Sequence, residues 1–131
     1  MDKSKDFFAL KNCIESKTVS VGIIGLGYVG LPLAISFAES GFNVLGIDID
    51  KSKVRNLNNF KSYINHISNK RIEKLVKSKK LRATSEFSKV KELDAIIICL
   101  PTPLNKHREP DLSYILNTMH EIKSFLRKGQ I

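Results

Sequence analysis

The sequence predicts a doubly wound α/β fold, a parallel sheet with helices on both faces, and two observations carry that prediction. Short β-branched or apolar runs alternate with segments whose apolar residues recur at helical spacing, in the order β-α-β-α-α-β-α-β-α behind an N-terminal helix. A glycine-rich bend separates the first strand from the helix after it. Right-handed crossovers then leave strand order 3-2-1-4 as the natural arrangement.

The elements follow in chain order. Residues 4–16 carry Phe7, Leu10 and Ile14 at i, i+3 and i+7, one apolar stripe on a short helix that packs on the domain or on a partner. Residues 19–24 are a compact β-branched run, a buried strand by composition. Residues 31–40 put Leu31, Ala34, Ile35 and Ala38 on one side of a helix, with Pro32 in its first turns and Gly41 as its C′ stop. A second strand, 44–47, is closed by Asp48, and a helix begins near Asp50 or Lys51 and runs to about Asn58. A looser stretch precedes a basic amphipathic helix over 69–78. Residues 81–84 form a short third strand. Residues 95–100 form an apolar fourth one, expected to be covered on both faces and ended by Pro101 and Pro103. Pro110 and Asp111 read as N′ and N-cap of a last helix over 112–127, stopped by Gly129. A fifth strand would be due after Ile131, so the expectation is a Rossmann unit truncated after its fourth strand and following helix. The expected division is an N-terminal helical arm, 1–18, and a dinucleotide-binding domain, 19–131.

Composition narrows the class. The chain has 131 residues, enough for one domain, and is 42% hydrophobic and 27% charged, as globular folds are. No run approaches the roughly 18 apolar residues of a membrane span, and the N-terminus has no apolar stretch behind Lys3, Lys5 and Lys11 to make a secretory signal. Cys13 and Cys99 show no framework spacing; they read as free thiols in a reducing cytoplasm, Cys99 as a small buried hydrophobe. The formal charge is +9, which raises the question of nucleic acid. The densest basic stretch, Lys70 to Arg82, is interleaved with Ile72, Leu75 and Val76 at helical spacing. That is the solvated face of a helix, and no nucleic-acid partner is expected. His66, His107 and His120 show no metal-ligand spacing and read as surface residues.

The chemistry sits in Gly25-Leu26-Gly27-Tyr28-Val29-Gly30. A lone G-x-G-x-x-G is a weak signal; here it follows a strand and opens a helix, the context that gives it meaning. Gly25 permits the tight turn, Gly27 lets backbone approach a pyrophosphate, and Gly30 lets the helix pack closely. The phosphates then meet free N–H groups at the positive end of the helix dipole. Asp48 ends the second strand 18 positions after Gly30. An acid there hydrogen-bonds the adenosine ribose hydroxyls and repels a 2′-phosphate, so NAD is expected rather than NADP. Asp50 competes for that role but is placed to cap the next helix. Leu100, Pro101 and Thr102 follow the fourth strand at the carboxyl end of the sheet, where the ligand of such folds lies.

The run Gly25 to Ala34, Gly-Leu-Gly-Tyr-Val-Gly-Leu-Pro-Leu-Ala, resembles the opening of the UDP-glucose/GDP-mannose dehydrogenase family. Ser62-Tyr63-Ile64 and the long run Leu100 to Tyr114 resemble its UDP-N-acetylglucosamine 6-dehydrogenase branch, used in bacterial surface polysaccharide synthesis. The resemblance covers residues 19–131. It implies NAD contacts at Gly25 through Gly30, Asp48, Lys53 and the Leu100–Pro103 loop. It implies a full-length enzyme that oxidises the C6 alcohol of a UDP-N-acetyl-hexosamine to the uronic acid with two NAD, through a thiohemiacetal on a cysteine, and that works as a homodimer. Two departures stand out. Phe60 occupies a position where the family usually has Gly. The family's catalytic Cys, Lys, Asn and Asp, and its Ser-Thr cofactor loop and Glu, would lie beyond Ile131. No catalytic residue is therefore assigned in this chain, which alone is expected to bind NAD and turn over nothing. The alternatives are a non-catalytic NAD(H)-sensing module and another hydroxyacid dehydrogenase; the latter would lack the Pro-Thr-Pro…Arg-Glu-Pro-Asp stretch.

Overall fold

The computed structural model describes residues 3–131. Met1 and Asp2, the first residues of the expected arm, lie outside the described residues. The chain runs α1 (Lys3–Glu15), β1 (Ser20–Ile24), α2 (Gly30–Glu39), β2 (Asn43–Ile47), α3 (Lys51–Asn58), α4 (Asn69–Lys77), β3 (Leu81–Thr84), β4 (Ala95–Ile98) and α5 (Ser113–Ile122). The four strands are parallel in the order β3-β2-β1-β4, as right-handed crossovers require. β1 lies inside the sheet, with Val21 opposite both Val44 of β2 and Ala95 of β4.

The strands divide their side chains between two cores. Val21, Ile23 and Val44 face Leu31, Ala34, Ile35 and Ala38 of α2 and Ile72 and Leu75 of α4. Ile24, Leu45 and Ile47 face Val90, Leu93 and Ile122 on the other side. α2 forms because its apolar residues recur every three or four positions, and it stops at Gly41 (φ +99°), whose N–H donates to the Ala38 carbonyl. α3 starts at Asp50, whose side chain accepts from the Ser52 N–H at 2.8 Å. α4 starts at Ser68, which accepts from the Arg71 N–H.

Several expectations change. The helix between β3 and β4 is a short 3-10 stretch, Phe87–Glu92. α5 ends at Ile122 rather than Arg127, followed by a 3-10 turn, Lys123–Phe125, and an extended Leu126. Beyond that turn, the Arg127 guanidinium turns back to the Leu93 carbonyl and the Asp94 carboxylate at 2.9 and 2.6 Å. Asp111 is not the N-cap residue of α5; Leu112 holds that position, and Asp111 accepts from the Ser113 N–H just inside the helix. β4 ends at Ile98, and its residues are half-exposed instead of covered, because β4 is the edge of the sheet. Ile131 bonds to that edge: its N–H donates to the Asp94 carbonyl and its carbonyl accepts from the Ile96 N–H. In α1, Leu10 packs against the larger core while Phe7 stays 63% exposed.

Candidate dinucleotide site

The turn between β1 and α2 is shaped by three glycines that meet different surroundings. Gly25 adopts φ +93°, and a β-carbon there would sit 2.3 Å from the Cys99 carbonyl oxygen. A β-carbon on Gly30 would sit 1.6 Å from the Gly25 carbonyl oxygen, so the first turn of α2 closes over the bend only without a side chain. A β-carbon on Gly27 would meet nothing within 4 Å. The open space there is a crevice of about 560 Å³ whose walls include Gly27, Tyr28, Val29, Asp48, Lys53 and Pro101.

The polar groups of the crevice come from the ends of adjacent strands. Among the described residues, the N–H groups of Gly27, Tyr28 and Val29 have no protein acceptor, and the N-cap position of α2, Val29, supplies no side-chain cap. Unpaired amides at a helix start suit an anion. Asp48, 6% exposed, reaches under the turn. Its Oδ2 accepts from the Leu26 N–H at 2.8 Å and its Oδ1 from the Asp50 N–H at 2.8 Å. The Lys53 ammonium lies 3.6 Å from Oδ2. A carboxylate offers about four lone-pair sites, so each oxygen keeps capacity for a further donor. Asp50 also lines the crevice, but its Oδ1 is engaged by its own helix; hydrogen bonds from the Ser52 side chain and backbone hold its carboxyl below the usual range.

The residues singled out from the sequence do not all converge. Tyr28, Val29, Leu100 and Pro101 line the crevice, and Tyr28 and Val29 are strongly exposed on its rim. Leu26 is fully buried, packed where a β-carbon on Gly46 would be, and contributes backbone alone. Thr102 is exposed in the loop beyond Pro101 and is not among the crevice walls. That loop folds on itself: Asn105 Oδ1 accepts from the N–H groups of His107 and Glu109, and Arg108 takes φ +61°. Cys99 lies one residue past β4, half-buried, and burial raises its thiol pKa. His66, His107 and His120 are exposed.

Two features escaped sequence reading. The Tyr63 hydroxyl donates to the Leu26 carbonyl at 2.6 Å, bringing the α3–α4 segment onto the glycine turn. Burial, and then the charges of Asp48 and Asp50, push its pKa well above the usual phenol value. A second slot of about 400 Å³ adjoins the crevice, between Ile49, Phe87, Leu100, Tyr114 and Thr118, with Asn117 and Glu121 also on its wall. Its walls come from five separate stretches, and no local spacing marks them.

Residues 19–131 match the sequence pattern of the UDP-glucose/GDP-mannose dehydrogenase family, NAD binding domain. The chain belongs to that family. It is 38% identical to a UDP-N-acetyl-D-glucosamine 6-dehydrogenase of Salmonella typhi over 86% of this chain and 26% of that protein. It is 32% identical to a UDP-N-acetyl-D-mannosamine dehydrogenase of Pyrococcus horikoshii over 85% of this chain and 27% of that protein. Among solved structures, a ternary complex of GDP-mannose dehydrogenase from Pseudomonas aeruginosa superposes with a TM-score of 0.77 at 32% identity, over 82% of this chain and 25% of that one. The chain thus spans about a quarter of the length of these dehydrogenases, the part that the family pattern describes as NAD binding. In this domain Asp48 anchors the glycine turn through the Leu26 N–H, and both border the crevice.

Proposed function

We propose that this chain is the NAD-binding portion of a dehydrogenase that oxidises the C6 alcohol of a UDP-N-acetyl-hexosamine to the uronic acid, in the cytoplasm and as a homodimer. In this reading residues 1–18 are an arm, residues 19–131 are the cofactor domain, and the UDP-sugar is bound and transformed by chain beyond Ile131. The carrying observation is the buried Asp48 carboxylate, anchored to the glycine turn beside three amides without acceptors.

The residues fit the cofactor. Gly27 presents open space and unpaired N–H groups to a diphosphate. Asp48 would accept from the adenosine ribose hydroxyls with its remaining lone pairs, and Lys53, also on the crevice wall, pairs with that carboxylate. The slot whose walls include Ile49, Phe87 and Leu100 would take the adenine. Bound NAD supplies the hydride acceptor for oxidation of the alcohol. The exposed Tyr28, Val29 and Ile49 at the rim would be covered by the cofactor, which shields the site from water.

Titrating the chain with NADH tests this reading through the nicotinamide fluorescence. The expected result is a saturable change, reversed by ADP, with NADPH weaker by roughly tenfold or more, the equivalent of about 1.4 kcal/mol of repulsion at Asp48. Equal affinity for the two, or no binding by the folded chain, would contradict it.

A further inference from the structure

Tyr63 stands in the irregular segment between α3 and α4, 37 positions from the residue that it bonds. Its hydroxyl donates to the Leu26 carbonyl at 2.6 Å. That carbonyl shares one peptide plane with the Gly27 N–H, and across a trans peptide the two point in opposite directions. Drawing the carbonyl toward the α3–α4 side therefore leaves the Gly27 N–H facing the other way. Gly27 is a wall of the crevice, and the space beside it is open.

The peptide on the other side of Leu26 is held as well, because the Leu26 N–H donates to Asp48 Oδ2 at 2.8 Å. The Leu26 side chain is fully buried against Gly46. Without the Tyr63 hydroxyl, the carbonyl would be the one unanchored part of this residue. A rotated Leu26–Gly27 peptide would turn a carbonyl oxygen, negative in partial charge, toward a bound phosphate.

We propose that Tyr63 is a positioning residue, which locks the Leu26–Gly27 peptide so that the Gly27 N–H meets the diphosphate of the bound dinucleotide. The inference rests on the cofactor reading above. Burial keeps the phenol protonated, so Tyr63 remains a donor across the working pH range.

Tyr63→Phe removes the hydroxyl and keeps the ring. With NADH fluorescence as the readout, ADP and adenosine are compared as competitors on the full chain and on the variant. The expected outcome is a loss of about five- to tenfold in affinity for NADH and ADP, the usual effect of one hydrogen-bonded contact, with adenosine changed less than about twofold. A residue that only packs would weaken ADP and adenosine alike, and that result overturns the proposal, as does an unchanged ADP affinity. Failure of the unaltered chain to bind NADH overturns the cofactor reading together with the proposal; binding by the unaltered chain with no effect of Tyr63→Phe overturns the proposal alone. A second measurement avoids the variant's folding. On the unaltered chain, the Gly27 amide proton resonance should move on addition of ADP and stay in place with adenosine. A Gly27 resonance unmoved by saturating ADP overturns the proposal.

Discussion

Glycines a few residues apart in the same turn have different jobs, and substitution separates them. A β-carbon on Gly30 would overlap the Gly25 carbonyl oxygen, and backbone cannot swing aside as a flexible side chain would. Gly30→Ala should cost more than about 3 kcal/mol of stability, in the range of severe overpacking, read from a denaturant titration. Gly27 is the opposite case, since an added β-carbon points into empty crevice. Gly27→Ala should leave the melting temperature nearly unchanged and lower NADH affinity at least tenfold. A stable Gly30→Ala, or a Gly27→Ala with normal binding, would reverse the assignment of these roles. The glycine spacing and Asp48 were legible because they belong to a local motif. The Tyr63 bond to Leu26 was not, since nothing in the stretch 62–64 signals a partner 37 positions earlier. The walls Phe87 and Thr118 were hidden for the same reason.

Helix ends were legible to within a residue in α2, α3 and α4 but not in α5, whose expected cap at Asp111 also moved to Leu112. Asp50 caps α3 as its short polar side chain and position suggested. The ends depend on backbone conformation, and three helices close with a left-handed residue other than glycine: Lys17 (φ +58°), Phe60 (φ +62°) and Lys79 (φ +59°). Phe60 explains the departure from the family's glycine. The position after α3 requires positive φ, with the Phe60 N–H donating to the Leu57 carbonyl and the Lys61 N–H to the Asn56 carbonyl. Phenylalanine adopts the same shape at a cost of about 1–2 kcal/mol, partly offset by the Lys77 ammonium 5.5 Å above its ring. Lys79 has the same strain, and its aliphatic stem fills no core position. Lys79→Gly should therefore stabilise the fold by about 1 kcal/mol, a rise of several degrees in melting temperature. A fall in melting temperature would show that the left-handed residue is not strained.

At the scale of the whole molecule, topology was legible because few arrangements satisfy parallel pairing with right-handed crossovers, and β3-β2-β1-β4 is the result. The exposure of β4 was not legible from its own residues. Ala95 to Leu100 read as a strand covered on both faces, and coverage depends on what lies beside a strand. The high positive charge likewise says little on its own. Arg71 pairs with Glu39 and Lys77 with Glu73, on the exposed side of α4, and among the described residues no helix is long and apolar enough to cross a membrane. What the fold does for function is to bring the end of β2 beneath the bend after β1, so that one carboxylate both anchors the turn and faces the crevice. The most direct test of that claim is the ratio of NADPH to NADH dissociation constants in the unaltered chain and in Asp48→Asn. The account predicts a ratio of about ten or more that collapses toward one in the variant, through weaker NADH binding and relief of repulsion toward the 2′-phosphate. A ratio unchanged by Asp48→Asn in a folded variant would contradict it.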